Sequence, residues 1–405
     1  MIRHIWLANK SIGKGDQIRE DRENFSKVRS DTILIVGMLD SPHFQTWLTG
    51  VREEFPNRRL ILFPSDRPGL TKDKAQKLVG EHKNLKVFKL LPHWKLNFYA
   101  FAVLDKLFGL TWRAYFLGKQ IIFFKPSVLH FHEMQHGAYI MNLLVGYKKI
   151  PTNTKKVIST WGSDLTLFSW SDSHQANLRS CMHWANIITA EKKSEEIDAR
   201  RLGYSGEFRA PVYIHLGVPR NLPQIDLPPS KRKRILIKGY QGWAGRGLNA
   251  LEVLTRNKAL LHGFEVLVFS SDESVRIQID KMRNLHLINI RAFSASHTEM
   301  QEYFASSRLA IGLSESDGLP ASFVEALSAG CFTIQSKNSS AVEFITDGVT
   351  GFLVDPWDLD SIQNALEESL TNDLLVDNSV SLNRQTLFKK YNRETGIEKL
   401  RNLYF

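Results

Sequence analysis

Short apolar runs alternate with helical segments twice along this chain of 405 residues, on either side of a proline-rich break. In the first half, an apolar run at 31–39 is followed by a helical stretch at about 41–54 and by a second run at 58–65. Parallel strands that are buried on both faces read as continuous apolar runs, and their crossover connections are usually helices. The alternation therefore predicts an open, mostly parallel α/β sheet. Further strand-like runs of this half lie at 86–91, 127–132, 155–162, 186–190 and 208–218.

The break lies at 221–233, where three prolines and a run of charged residues interrupt the pattern. The alternation restarts at 234, and the chain is longer than one hydrophobic core usually supports. We therefore predict two Rossmann-like domains facing across a cleft, with a first domain at 1–220, a linker at 221–233 and a second domain at 234–383. Strand-like runs of the second domain lie at 234–240, 264–270, 285–290, 308–315, 331–336 and 351–356.

The charge of the chain is concentrated in its first half. Hydrophobic residues make up 43% and charged residues 23% of the sequence, which excludes a disordered or fibrous protein. Of the net charge of +11, residues 1–220 contribute 33 basic against 20 acidic side chains. Such a field attracts anionic partners, and composition alone leaves nucleic acid, an anionic membrane and a phosphate-bearing substrate open.

The cysteines and the apolar runs bear on the compartment. Cys181 and Cys331 are too few and too far apart for a disulfide framework or a cysteine-based metal site. The apolar stretch at 98–104 falls short of the roughly 18 residues that a spanning helix needs. The N-terminal residues lack the apolar segment of a signal peptide. We expect a cytoplasmic protein.

The densest chemical signal lies at 313–354. Asp317-Gly318-Leu319-Pro320 predicts a turn from a strand into a helix, whose first amides can hold anions or sugar oxygens. Glu325 follows Asp317 by eight residues, a little over two helical turns, so both carboxylates can face one cleft. Carboxylates accept paired hydrogen bonds from neighbouring hydroxyls, which suits a polyhydroxyl ligand.

This region resembles the family 4 retaining glycosyltransferases of the two-Rossmann, GT-B type. Their signature is an acidic residue, seven residues and a Glu, followed by a small-residue helix end and a later Asp-Gly stretch. Asp317, Glu325, Glu343 and the segments 326–330 and 346–354 match it in register. The resemblance implies that Glu325 binds the ribose of a nucleotide-sugar, and that Asp317 with the amides of Gly318 and Leu319 holds the sugar. In proteins of this fold the last helix crosses back to the first domain, which we expect of 384–405.

A glycine-rich turn at 237–251 resembles the diphosphate cradle of the same family. Arg246 followed by a glycine fits the second basic position of that motif, while Tyr240 stands where the first basic residue is expected. Lys238 is the candidate that substitutes for it. With Gly239, these residues complete the predicted donor-binding set: Lys238, Gly239, Tyr240, Arg246, Asp317, Gly318, Leu319 and Glu325.

Candidate residues of the first half follow predicted strands. Many relatives carry a histidine before the Gly-Ser-Asp step, and Trp161 stands there in this sequence. We therefore take His132 as the catalytic histidine, together with Asp317 and Arg246. Asp164 is equally consistent with capping a helix. The predicted acceptor- or sugar-side residues are His43, Glu133, His136, Trp161 and Asp164.

Residues 94–124 combine aromatic and basic side chains. Within 81–130, eight Lys and Arg stand against two acidic residues, interleaved with aromatics. Two amphipathic helices in this range would place aromatic faces in an anionic membrane surface. The alternative is that these aromatics pack inside the first domain.

The sequence therefore predicts a retaining, metal-independent hexosyltransferase. It would move a sugar from a nucleotide-diphosphate sugar to a glycan or lipid-linked acceptor in bacterial surface polysaccharide or O-antigen synthesis, peripheral on the inner membrane face. No cofactor is expected, because the nucleotide-sugar is a substrate, and neither a metal nor nucleic acid is expected. Two alternatives of the same fold are a non-catalytic partner subunit and a nucleotide-sugar epimerase.

Overall fold

The computed structural model describes residues 32–80, 82–91, 97–145, 153–218 and 224–404. The first domain is built on a seven-stranded parallel sheet in the order β3-β2-β1-β4-β5-β6-β7. Its strands are β1 Thr32–Gly37, β2 Arg59–Pro64, β3 Leu85–Val87, β4 Val128–His132, β5 Lys155–Ser159, β6 Ile187–Thr189 and β7 Glu207–Arg209.

Helices cover this sheet and bury its apolar strands. They are α1 Pro42–Glu54, α2 Lys72–Val79, α3 Asn97–Phe108, α4 Thr111–Phe124, α5 Tyr139–Asn142, α6 Asp172–Trp184 and α7 Glu195–Arg201. Every residue of β1 and of β4 is buried, as their continuous apolar runs predict. The strand order reverses between these two strands, so the loops that follow them border a crevice at the carboxyl edge of the sheet.

The second domain repeats the plan with a six-stranded parallel sheet in the order β12-β11-β8-β13-β14-β15. Its strands are β8 Arg234–Lys238, β11 Glu265–Phe269, β12 Ile290–Phe293, β13 Leu309–Gly312, β14 Phe332–Ser336 and β15 Phe352–Val354. The short pair β9 Gln241–Gly242 and β10 Gly245–Arg246 forms a separate antiparallel ribbon. Its helices are α8 Gly247–Arg256, α9 Glu273–Asn284, α10 His297–Ala305, α11 Ala321–Ser328, α12 Leu359–Thr371 and α13 Asp373–Lys390.

Two predicted strands differ from the structure. The run at 208–218 forms a strand only at Glu207–Arg209, because Pro211 lacks the N–H that a ladder needs and the chain then turns through Leu216 at φ 57°. The run at 285–290 is extended only from Ile290, because His286 adopts a φ of 50° and turns the chain first.

The last helix, α14 Arg393–Tyr404, packs on the first domain as predicted. Leu400, Leu403 and Tyr404 lie in the same buried cluster as residues of β1 and α1. The hydroxyl of Tyr404 lies 2.7 Å from Nδ1 of His130 on β4. The predicted boundary at 383/384 falls inside α13, and the chain crosses at 391–392 instead, where Asn392 bridges to Val218.

The predicted linker packs against the second domain in its described part. Ser230, in a 3₁₀ turn, donates through its backbone N–H and its hydroxyl to the carboxylate of Asp377, at 2.9 and 2.7 Å. Residues 1–31 and 219–220 of the predicted first domain, and 221–223 of the linker, lie outside the described residues.

The described ranges also bear on membrane-spanning helices and on the two cysteines. None of the helices in those ranges is long and apolar enough to cross a membrane. Cys181 and Cys331 are both buried free thiols.

Replacing Leu400 by alanine tests how much α14 contributes to stability. Leu400 is buried in the first-domain core, so its truncation should lower the free energy of unfolding by about 2–5 kcal/mol in a urea titration. Leu374 on α13 is 71% exposed, and Leu374→Ala should change this free energy by less than about 0.5 kcal/mol. Equal effects of the two variants would contradict the packing of α14.

Candidate active site

A cavity of about 360 Å³ lies between the two sheets, at the carboxyl ends of their strands. Residues of both domains line it, which is the usual location of ligand sites in paired α/β domains. Its first-domain lining comprises His43, Trp161, Glu191, Ile214 and His215. Its second-domain lining comprises Lys238, Tyr240, Trp243, Phe269, Ser270, Asp317, Leu319, Pro320, Ala321 and Ser322.

Lys238 and Asp317 meet on the second-domain wall. Lys238 ends β8 and Asp317 lies in the turn between β13 and α11, and their side chains form an ion pair at 3.0 Å. The hydroxyl of Ser314 donates to the same carboxylate oxygen at 3.2 Å. Two residues predicted from separate motifs, 79 positions apart, therefore belong to one site.

The glycine-rich turn after β8 is closely packed. The N–H of Gly239 donates to the carbonyl of Phe269 at 2.8 Å, and a Cβ at Gly239 would lie 2.7 Å from Val268 Cγ1. Gly239 therefore allows the turn to approach β11, and its amide is engaged. Arg246 forms an ion pair with Glu315, and its guanidinium lies 3.8 Å from the ring centre of Trp357. The ring of Tyr240 lies 5.4 Å from Lys238 Nζ.

Glu325 lies on α11, one side of which is buried in the second domain. Its Oε1 lies 3.0 Å from Nε2 of the exposed His297, at the start of α10. Burial raises the pKa of Glu325, and His297 partly offsets that rise. Among the described residues, the hydrogen-bond partner of this half-buried carboxylate is an exposed imidazole, which it can exchange for ligand hydroxyls.

Glu191 joins the two domains at the Asp317 turn. This buried residue follows β6, and its Oε2 accepts the N–H of Leu319 at 2.8 Å. The main chain of Gly162, at φ 81°, contacts the main chain of Gly318, so that a Cβ at Gly162 would overlap the backbone nitrogen of Gly318. The hydroxyl of Ser163 donates to the carbonyl of Ser316 at 3.2 Å. The predicted sugar-binding turn is therefore held against the first domain.

Two histidines form the opposite wall. His43, near the start of α1, lies with Nδ1 2.9 Å from Nε2 of His215, and its ring centre is 6.2 Å from that of Trp161. Burial lowers the pKa of His43, with Asp317 opposing that effect. Burial, reinforced by the neighbouring His43, lowers the pKa of His215 to about 4. Both imidazoles are therefore neutral near pH 7, where they can donate or accept a hydrogen bond.

His132 lies behind this wall, with its ring centre 6.3 Å from that of Trp161, and it is not part of the cavity lining where its predicted catalytic contact would be made. Its ring is buried among aromatic rings, with centroids 4.0 Å from Trp47 and 5.2 Å from Phe44. Burial holds its pKa well below the ordinary value, and neither ring nitrogen has a hydrogen-bond partner among the described residues. The carboxyl end of β4 carries His132 into the core because β4 is buried on both faces.

The remaining first-domain candidates shape the loops behind the cavity. Glu133 has a φ of 61°, and its Oε2 accepts the N–H of His136 at 2.8 Å. Burial, with Asp164 nearby, raises the pKa of Glu133 above its ordinary value. Asp164 is buried, caps the turn by accepting the N–H of Trp161 at 2.9 Å, and has its pKa raised by burial to about 6. The capping alternative for Asp164 therefore has a direct geometric basis.

Sequence reasoning missed several lining or neighbouring residues. Glu191 directly follows the predicted strand at 186–190. Ligands bind at the carboxyl ends of parallel strands, so this position was the signal in the sequence that could have marked Glu191 as a site residue. His215 falls in the segment misread as a strand, so no local pattern marked it. His297 and Glu325 are 28 positions apart, and it is the folding of the second domain that brings their side chains together. Among the described residues, no group of three or more His, Cys, Asp or Glu side chains is placed to hold a metal ion.

The second domain matches a known family model. The model described as Glycosyl transferases group 1 matches residues 249–394, a range that includes Asp317 and Glu325. The chain is also 20% identical over 297 residues to N-acetyl-alpha-D-glucosaminyl L-malate synthase of Bacillus anthracis, covering 69% of this chain and 74% of that relative.

Solved structures share the fold over nearly the whole chain. A glycosyltransferase from Rickettsia africae ESF-5 superimposes with a TM-score of 0.67 at 17% identity, covering 93% of this chain and 98% of that one. Alr3699/HepE of Anabaena, in complex with UDP-glucose, gives a TM-score of 0.66 at 14% identity, covering 92% and 98%. The chain therefore has the GT-B fold.

The lowered pKa of His215 predicts an acid-dependent loss of stability. Because burial lowers this pKa from 6.5 to about 4, the unfolded chain binds a proton between these values that the folded chain does not. The wild type should therefore lose stability relative to His215→Gln as the pH falls from about 6.5 toward 4. Urea titrations at pH 7.5 and pH 5 measure the difference, and a difference that is the same at both pH values would contradict the burial of His215.

Proposed function

We propose that this protein is a retaining, metal-independent hexosyltransferase that uses a nucleotide-diphosphate sugar. The observation that carries this proposal is the ion pair of Lys238 with Asp317 in the lining of the interdomain cavity, with Glu325 about one turn along α11 from the lining residues at its start. The match of residues 249–394 to group 1 glycosyl transferases supports it, because that range contains both acidic residues. The UDP-glucose bound by HepE supports the donor class.

The second domain would bind the donor. Glu325 would exchange His297 for the ribose hydroxyls, and Asp317 would receive hydroxyls of the transferred sugar. Lys238 and Arg246 are held by Asp317 and Glu315 and are the cations nearest to the glycine-rich turn. They would move from these carboxylates to the diphosphate, where fixed positive charge stabilises the leaving group without a metal.

The reaction would exchange one bond at the anomeric carbon for another on the same face. The bond from that carbon to the donor phosphate breaks, the acceptor oxygen forms the new bond, and its proton passes to the leaving phosphate oxygen. His43 takes the place that the sequence assigned to His132, because it lies on the cavity wall and within the electrostatic reach of Asp317. Its neutral imidazole would accept a hydrogen bond from the hydroxyl of the acceptor substrate and so orient that hydroxyl.

The acceptor we propose is a glycan or lipid-linked sugar, in the synthesis of a bacterial surface polysaccharide or O-antigen. The feature that favours a membrane setting is the outer surface of α3 and α4, which we call the aromatic face. Tyr99 and Phe123 are 74% and 63% exposed there, although Phe101 and Phe124 pack inside the domain. Its exposed large apolar residues are Tyr99, Val103, Leu107, Phe108, Tyr115, Ile122 and Phe123.

The basic residues of the aromatic face complement its apolar ones. Lys119 lies 4.3 Å from the ring centre of Tyr115, and Lys106 and Lys125 lie on the same two helices or at their ends. Apolar side chains with a lysine border favour an anionic bilayer surface. The aromatics of this range divide between the core, as Phe101 and Phe124 do, and the surface, as Tyr99 and Phe123 do. Trp94 and residues 95–96 lie outside the described residues.

Donor binding can be tested by thermal unfolding with a panel of UDP-, GDP-, ADP-, CMP- and dTDP-sugars. One nucleotide-sugar should raise the Tm, because a ligand that binds only the folded state stabilises it by about 2.7 kcal/mol at 100 times Kd. Glu325→Ala should abolish the shift. Glu302→Ala, an exposed change on the adjacent α10, should retain it.

The alternatives give different outcomes of that screen. No shift with any donor would contradict the proposal. A shift without transfer to any acceptor or to water would indicate a non-catalytic partner subunit. Release of an epimerised free sugar without an acceptor would indicate a nucleotide-sugar epimerase.

Membrane association can be tested by flotation with vesicles. The wild type should float with vesicles that contain about 30% phosphatidylglycerol and should bind pure phosphatidylcholine less, because Lys side chains near the surface each contribute about 1 kcal/mol with anionic lipid. The double change Leu107→Ser and Phe123→Ser should weaken binding by roughly tenfold or more. Leu374→Ser is the control, since Leu374 is equally exposed on the second domain. Unchanged flotation of the double variant would exclude the aromatic face.

A further inference from the structure

Glu191 is the only acidic side chain of the described cavity lining that belongs to the first domain. Its two carboxylate oxygens have partners on opposite sides. Oε1 accepts the N–H of Ile214 at 2.9 Å within the first domain, and Oε2 accepts the N–H of Leu319 at 2.8 Å from the second. One carboxylate therefore links the segment before the domain crossover to the turn that begins α11.

The carboxylate of Glu191 is enclosed where the two domains meet. It is 5% exposed, and a Cβ at Gly318 would overlap its Oε2. The neighbouring Lys192 reaches the carbonyl of Asn338 on the second domain at 3.4 Å. The contact is therefore part of a close backbone approach that depends on Gly162 and Gly318, and it exists only while the domains are closed.

The charge of Glu191 is sensitive to that closure. Its pKa is raised to about 7: burial is the largest cause, Asp317 adds to the rise, and the two N–H donors and Lys192 act against it. The carboxylate of Glu191 also interacts electrostatically with the side chains of Glu195, Tyr213 and Tyr391. Opening the domains would hydrate the carboxylate and return its pKa toward the ordinary value, so closure and the ionisation of Glu191 are linked.

We propose that Glu191 is a positioning residue of the donor-sugar subsite, which fixes the Asp317-Gly318-Leu319 turn when the domains close. The inference rests on the proposed function and deepens it. Asp317 and Lys238 flank the same turn, so its position sets where the transferred sugar and the diphosphate meet. A group that holds this turn from the first domain makes the catalytic geometry depend on closure, without contacting the nucleotide.

Glu191→Gln removes this role while changing few atoms. A glutamine offers one carbonyl oxygen, so its NH₂ group must oppose one of the two N–H donors, of Ile214 or Leu319. The matched control is Glu195→Gln. Glu195 is also fully buried in the first domain, four residues further on, and accepts from the Thr160 hydroxyl of its own domain at 2.8 Å.

The kinetic arm uses the donor identified by the thermal screen. Glu191→Gln should lower kcat by roughly 10- to 100-fold, because small misplacement of reacting groups has effects of this size. The Kd for the nucleoside diphosphate alone should stay within about threefold, because Glu325 and the glycine-rich turn are unchanged. The wild-type kcat should fall below a pH of about 7 as Glu191 becomes protonated, and the variant should lack this decline. Glu195→Gln should keep the wild-type kcat above pH 7 and the wild-type Kd, because it leaves both N–H contacts of Glu191 in place.

A second arm needs no donor. Hydrogen exchange of the Leu319 amide should be at least tenfold faster in Glu191→Ala than in the wild type, and unchanged in Glu195→Gln, because only the first variant removes its acceptor. If the proposed function is wrong, the wild type will bind no nucleotide-sugar. The exchange measurement would then still test whether Glu191 holds the Leu319 amide. Unchanged exchange would overturn the inference, as would an unchanged kcat and pH profile. Tighter donor binding by Glu191→Gln would overturn it too, since it would make the contact inhibitory.

Discussion

Backbone atoms of the two domains approach each other directly at Gly162 and Gly318, and the arrangement of the cleft depends on this contact. A Cβ at Gly162 would overlap the backbone of Gly318, and a Cβ at Gly318 would overlap the carboxylate of Glu191, so the two glycines let the turn before α11 lie directly against the first domain. The amides and carbonyls exposed by such an approach need partners, and Glu191 and Ser163 supply them. This contact brings Asp317 opposite His43, and it brings the two sheets near enough to enclose a cavity.

Burial and ion pairing give the ionisable groups on the two sides of the cleft different charge states. On the first-domain wall, burial makes His43 and His215 neutral, and it raises the pKa of Glu191 to about 7. On the second-domain wall, Lys238 with Asp317 and Arg246 with Glu315 form ion pairs that hold opposite charges ready. A negatively charged diphosphate can replace a carboxylate partner on that wall with little change in net charge. The positive charge that can face a diphosphate is therefore local to these ion pairs, and it is separate from the excess of basic residues in 1–220.

Much of the fold followed from periodicity, and the exceptions have identifiable causes. The fully buried β1 and β4 were readable as apolar runs because both of their faces are covered. The segment 208–218 could not be read in this way, because its apolar residues pack beside α14 and do not form a strand ladder. Leu216, for example, lies in the same first-domain core cluster as residues of α14. The site residues divide in the same way. Asp317, Glu325 and Lys238 lie in local motifs that specify a turn and a helix, whereas the place of His132 depends on which rings surround it.

The sequence by itself determined two parallel α/β domains, the crossover of the last helix and the acidic turn of the second domain. The two domains and the turn rest on interactions between residues close in the chain or on patterns that repeat at a fixed period, whereas the crossover is what the resemblance to GT-B glycosyltransferases implies. Only the tertiary structure decided that His43 and His215 form the first-domain wall, that His132 is enclosed, and that Glu191 holds the amide of Leu319. Those contacts join residues as far as 172 positions apart, and their geometry is set by how two whole sheets pack, which no local pattern encodes.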